Sequence, residues 1–139
     1  MNNFSLDPRI AESSLELGAL ALSDARINND SRFPWIILIP RREGLVGLHD
    51  LAADDLQLMT QEIRDMSNML LDVYSPDRIN VGALGNIVPQ LHVHVIARFE
   101  ADDAWPGPVW GAGSPDAYDA QSPELEKIRN AFETYQSAR

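Results

Sequence analysis

The sequence predicts an α+β fold, an antiparallel sheet accompanied by one long helix and a C-terminal helix. Three observations predict it. Ile36 to Ile39 form an unbroken aliphatic run bounded by Pro34 and Pro40; such a run is too short for a helix and suits a strand buried on both faces. From Asp54 onward, Leu56, Met59, Ile63, Met66, Leu70 and Val73 recur at alternating steps of three and four, which draws one apolar stripe along a long helix. From Leu91 to Phe99 the side chains sort into an oily and a polar set with the period of a strand. Helices interspersed with antiparallel strands make one α+β domain spanning residues 1–139.

The remaining elements follow in order. Asp7 as N-cap and Pro8 at the first helical position open a short helix. Leu15 to Asn28 fits either a helix or a strand, and Asn28-Asn29-Asp30-Ser31 reads as a turn. That turn, followed by the aliphatic run, predicts a hairpin whose first strand lies near Leu22 to Ile27. Ser75-Pro76-Asp77 ends the long helix, Arg78 to Leu84 is a strand, and Gly85-Asn86 is a turn. Ala101 to Ser122, rich in Pro, Gly, Asp and Trp, reads as a long ordered loop, after which Ser122-Pro123-Glu124 caps the last helix.

Composition narrows the function. The chain of 139 residues is long enough for a packed core and contains no cysteine, which removes disulfides and thiolate chemistry. The formal net charge of −10 opposes non-specific binding to a nucleic-acid duplex or an anionic membrane. The stretch "MNNFSLDPRIAESS" has no apolar signal core and no run is long enough to span a bilayer, so a cytoplasmic location is expected.

The chemistry concentrates in "PQLHVHVIAR", Pro89 to Arg98, which holds two of the three histidines. In a strand, Leu91, Val93 and Val95 face the core, while Gln90, His92 and His94 form a row on the other face. Same-face neighbours lie roughly 7 Å apart, so one small ligand can touch both rings. The segment "GALGNIVPQ" leads into the strand, and a Gly- and Asn-bearing loop can aim backbone N–H groups at an anion. Imidazole can attack phosphorus and form a covalent intermediate, while a second imidazole fixes a tautomer or stabilises developing charge.

Gln90-Leu91-His92-Val93-His94-Val95-Ile96 resembles the motif of the histidine triad (HIT) superfamily, His-φ-His-φ-His-φ-φ with φ apolar, with Gln in place of the first histidine. The Asn-rich turn, the "WIILIPRR" strand, the long helix and "INVGALGN" extend the likeness over most of the chain. The resemblance implies a HIT-like fold and a nucleotide hydrolase or nucleotidyl transferase acting at the α-phosphate of a nucleotide or dinucleoside polyphosphate. It makes His92 the nucleophile and His94 the phosphate contact, with Gln90 able to hydrogen-bond but not to titrate. It implies nucleotide contacts from Asn86 and Asn29, a homodimer, and no metal or other cofactor. His49 reads as a local polar residue, Arg41 and Arg42 as solvated, with contact to a polyphosphate as the alternative, and Trp105 and Trp110 as packing for the loop, with lining of the nucleotide cleft or a dimer groove as the alternative.

Two rivals remain at this point. One is a nucleotide-binding module with little turnover, motivated by the missing histidine. The other is a metal-binding cupin using His92, His94 and Glu100. Its Gly85–His92 and His94–Glu100 spacings are longer than the cupin pattern, and its all-β barrel conflicts with the helix that begins at Asp54.

Overall fold

The computed structural model describes residues 3–138. Its elements are α1 (Pro8–Ser13), β1 (Ser14–Ala19), β2 (Ser23–Asn28), β3 (Trp35–Pro40), a 3-10 turn (Leu48–Asp50), α2 (Ala53–Tyr74), β4 (Arg78–Gly82), β5 (Val93–Arg98) and α3 (Pro123–Ser137). The strands form one five-stranded sheet in the order β1-β2-β3-β5-β4, with every neighbouring pair antiparallel. The α+β fold is as expected, and the all-β cupin barrel is excluded.

Every residue of β3 and β5 is buried because both faces of the sheet are covered. On one face, Ile36, Leu38, Val93, Val95 and Ala97 pack against Met59, Met66 and Leu70 of α2. On the other, Trp35, Ile37, Ile39 and Ile96 pack against Phe33, Val109 and Ile10. This is why the Ile36–Ile39 run is continuous and not alternating. Each such fully buried aliphatic side chain contributes about 1.5–3 kcal/mol.

The ambiguous stretch from Leu15 to Asn28 resolves into the β1–β2 hairpin, and β2 alternates strictly between buried and half-buried residues. Helix α2 begins at Ala53, one residue before Asp54, with no side-chain cap. Asp54 and Asp55 lie in its first turn, where carboxylates favour the positive end of the helix dipole. It ends at Ser75, whose left-handed φ of 46° lets its N–H donate to Leu71 O at 3.0 Å. Of the expected stripe, Met59, Met66 and Leu70 are fully buried, while Leu56 is exposed. Glu62 joins the buried face because its Oε2 accepts the Leu22 N–H at 2.7 Å. That donor belongs to the hairpin turn and needs an acceptor once buried.

Arg41 and Arg42 correct their solvated reading. Arg41 donates to Asp24, Leu20 O and Ala21 O, and Arg42 holds both oxygens of Asp55. They lock the end of β3 to the hairpin turn and to the start of α2. His49 is exposed beside Asp50, a local polar residue as expected.

Strand β4 stops at Gly82, short of Leu84, and β5 begins at Val93, not Leu91. The segment 101–122 contains no helix or strand. Its start is fixed by Arg98, which is 1% exposed. Arg98 Nε and Nη2 donate to the two oxygens of Asp102 at 2.8 and 3.0 Å, and Nη1 donates to Asn80 Oδ1 at 2.8 Å. Burial alone would raise the Asp102 pKa. The guanidinium and the N–H groups of Phe99, Ala104 and Trp105 outweigh that and hold it down at about 2.

Candidate active site

His92 lies just before β5 and His94 within it, on the sheet face away from α2. His92 Nδ1 sits 2.7 Å from the carbonyl oxygen of Gln90. A carbonyl only accepts, so Nδ1 carries the proton. In the neutral ring this leaves the lone pair on Nε2. At His94 the relation is reversed. The Trp35 indole N–H donates to His94 Nδ1 at 2.9 Å, and an indole only donates. The proton of neutral His94 is therefore on Nε2. The two rings stand 4.9 Å apart, inclined at 69°, one presenting a lone pair and the other an N–H.

The register explains why this strand can carry a buried imidazole. His94 pairs with Ile37 on β3 and Gly82 on β4. A Cβ at Gly82 would come within 2.7 Å of the Trp110 ring, so the glycine gives Trp110 room to lie against the sheet. Trp35 and Trp110 then meet His94 edge-on, at 5.6 and 5.5 Å between ring centres. Burial among these rings, with the nearby His92, pushes the His94 pKa down to about 3.

The histidines form part of the lining of a cavity of about 410 Å³. Leu84 to Val88, including Asn86, line it together with Asn28, Arg32 and Trp110. Asn86, expected as a nucleotide contact, lines the same cavity as the histidines. Asn29 is not part of that lining: its Oδ1 accepts the Tyr118 N–H at 2.9 Å, and Asn28 is the amide that reaches the cavity. The turn after β2 in fact grips the long loop. Arg32 binds both oxygens of Asp30 and donates to Ala112 O at 2.8 Å, and Asp30 accepts from Asp116 N.

Gln90 does not line the cavity with the histidines. Its side chain turns to the N-terminal segment, so the expected row of three is a pair at the cavity. Its Oε1 accepts the Asp7 N–H and its Nε2 donates to Ser5 O, both at 2.8 Å. The N-terminal segment thus takes up the whole amide. Trp105 packs as expected, its ring 5.8 Å from the Arg98 guanidinium. Trp110 packs too, but it also lines the cavity. Asn28, Arg32 and Trp35 were missed by sequence reasoning. The only available signal was Trp35, which shares a strand face with Ile37 by its two-residue step.

The depressed His94 pKa has a measurable consequence. In the unfolded chain the ring titrates near its ordinary 6.5, whereas the folded chain takes up that proton only near pH 3. Below pH 6.5 the unfolded state binds more protons, so this contribution to stability is intact above 6.5 and is lost as pH falls toward 3. Urea midpoints should decline as pH is lowered from 6.5 to about 4.5, and should decline less in His94→Asn. Equal slopes in parent and variant would assign the decline to other groups.

Comparison with known proteins bears on the fold and the family. A histidine triad protein of Bradyrhizobium japonicum is 39% identical, with a TM-score of 0.91 over 95% of this chain and 97% of its own. One from Sinorhizobium meliloti is 38% identical, with a TM-score of 0.91 over 96% of this chain and 97% of its own. The asymmetrical bis(5′-nucleosyl)-tetraphosphatase of Schizosaccharomyces pombe is 29% identical over 86 residues, 58% of this chain. Those residues make up 47% of that enzyme, so the chain spans about half the length of this curated relative. The HIT domain family matches residues 15–101, a span that contains both cavity histidines. With a sheet, a long helix and a histidine pair arranged as described, the chain belongs to the HIT family.

Proposed function

We propose that this protein is a nucleotide hydrolase or nucleotidyl transferase that works through a covalent nucleotidyl-histidine on His92. The observation that carries this reading is the pair of opposed tautomers in one cavity. His92 Nε2 offers a lone pair because Nδ1–H is bound to Gln90 O. It attacks the α-phosphorus, a P–N bond to the ring forms, and the bond from phosphorus to the leaving group breaks, P–O in a polyphosphate or nucleotide sugar and P–N in a phosphoramidate or adenylated amine. The leaving atom departs with the electron pair and takes a proton from solvent. The Gln90 carbonyl stabilises the positive charge left on the ring. His94 donates Nε2–H to a non-bridging phosphate oxygen, where charge develops. Asn86 and Asn28 supply further polar contacts to phosphate and ribose. Water then forms the new P–O bond, P–N breaks, and the lone pair returns to Nε2 as a proton passes to solvent.

The substrate panel follows from this chemistry: a dinucleoside polyphosphate, a nucleoside phosphoramidate, an adenylated amine and a nucleotide sugar. Mass spectrometry of the quenched protein should show a nucleoside monophosphate adduct on His92 with at least one of them. Retention of nucleotide with neither adduct nor product would make the protein a binding module instead.

Gln90 is assigned to positioning and not to proton transfer. Its amide holds two backbone groups of residues 5–7, and the same residue's carbonyl holds His92. The diverging nitrogens of an imidazole cannot serve both Ser5 O and Asp7 N–H. Gln90→His, which restores the family pattern, should therefore lose about 1–3 kcal/mol of stability and gain no rate on phosphoramidates. A higher phosphoramidate rate in the variant would return Gln90 to the proton path.

The homodimer and the cytoplasmic location belong to the same proposal. Strand β4 is an edge of the sheet with Val81 exposed on it, an open ladder for a second copy. Light scattering that finds only monomer at high protein concentration would remove the dimer. No described helix is long and apolar enough to cross a membrane.

A further inference from the structure

We propose that Trp35 is a positioning residue of this site: by donating its indole N–H to His94 Nδ1 it fixes the ring rotamer and tautomer of His94, and so keeps Nε2–H aimed at the phosphate. The inference rests on the proposed function for its catalytic meaning, but not for its geometry.

Three observations carry it. The Trp35–His94 hydrogen bond is buried and 2.9 Å long, so water does not compete for Nδ1. Trp35 is itself held, at 6.2 Å from the Phe33 ring and 6.3 Å from the Trp110 ring, both edge-on. It stands at the start of β3, paired with Ile96, while His94 is paired with Ile37 two residues along. Sheet register thus brings the indole to the imidazole, and neither ring can turn away without breaking the packing.

The chemical consequence is specific. An imidazole has two near-equivalent neutral tautomers and can flip about its outer torsion. Either change would aim a lone pair or a C–H at the phosphate oxygen in place of an N–H. A lone pair there repels the anion it should stabilise. Occupying Nδ1 with a donor that cannot accept a proton removes the second tautomer and opposes protonation at that nitrogen. His94 then acts as a neutral, fixed donor. The titratable group facing it is His92, at 4.9 Å between ring centres. Asp30 and Arg32, bonded to each other, line the same cavity. Gly82 on β4 and Ile37 on β3 bring no charge to it.

The test replaces only the N–H. Benzothienylalanine is an isostere of tryptophan with sulfur in place of the indole N–H, and it can be inserted at position 35 alone. Trp35→Phe is the companion variant with a natural residue. Nitrogen NMR of the full chain, labelled in histidine, reads the protonation of His94 Nδ1 and Nε2 across pH. In the parent, Nδ1 should report an unprotonated nitrogen and Nε2 a protonated one. In the isostere, a population with protonated Nδ1 should appear and the His94 midpoint should rise. Turnover should fall by up to about a hundredfold, the lower end of what losing one aligned donor costs. An unchanged His94 tautomer and midpoint in the well-folded isostere would overturn the proposal. If the parent turns over no nucleotide in the substrate panel, the hydrolase reading falls, while the NMR result still decides what Trp35 does to His94.

Discussion

His92→Ala should abolish turnover on every substrate the parent cleaves while leaving the fold intact. In the proposed mechanism His92 is the nucleophile, and loss of a nucleophile removes a covalent pathway outright, so the expected drop is several orders of magnitude in kcat. The fold should survive because the His92 side chain is only partly buried and belongs to the cavity, outside the packed clusters. Among the described residues it hydrogen-bonds Gln90 O, a carbonyl that water can satisfy at the cavity once the ring is gone. Steady-state rates beside a thermal melt check both halves of the expectation. A variant that turns over within a few-fold of the parent would move the nucleophile elsewhere. A His94→Ala control should retain some adduct formation, because the lone pair on His92 remains.

Arg98→Met should produce the largest loss of stability, about 3–5 kcal/mol. The methionine fills much of the arginine's volume, so the loss reports charge and not a cavity. The Asp102 side chain is 4% exposed and would keep its backbone N–H partners while losing both guanidinium bonds. Asn80 Oδ1 would lose its donor as well. Urea unfolding measures the single variant, and the pair Arg98→Met with Asp102→Asn closes a double-mutant cycle. The second change should recover part of the loss by removing the unpaired buried charge. A single-variant loss under about 1 kcal/mol would mean that water enters and solvates Asp102. Because Asp102 opens the long loop whose later residues Val109 to Gly113 line the cavity, substrate affinity should weaken alongside stability.

Much of the architecture was legible because it rests on short-range patterns. The apolar stripe of α2, the proline-bounded run of β3 and the capped starts at Asp7 and Ser122 are local signals, and each produced its element. The histidines could be placed on a common face by strand period alone. Element ends were less legible: β5 begins at Val93, opposite Leu38, although β3 itself continues to Pro40. Glu62 was hidden because its partner, the Leu22 N–H, lies 40 residues away in sequence. Gln90 was misplaced for the same reason, with its amide committed to residues 5–7 across 83 and 85 positions. Asn28 and Asn29 are neighbours, and only the three-dimensional turn decides which faces the cavity. Trp35 and Trp110 read as packing residues, which they are; their contact with His94 depends on sheet register, which no local pattern encodes.

The anchoring of Gln90 bears on where the working unit of this protein begins and ends. The family match runs from residue 15 to residue 101 and encloses both histidines. Yet the backbone groups that hold Gln90 come from Ser5 and Asp7, and Arg9 Nη1 donates to Ile87 O on the cavity's rim. At the other end, Trp110 and Ala112 lie beyond the match and still line the cavity. A fragment trimmed to the matched span would keep the histidine pair and lose the scaffolding on both flanks, so grafting the motif alone into another host would transplant the two rings without their container.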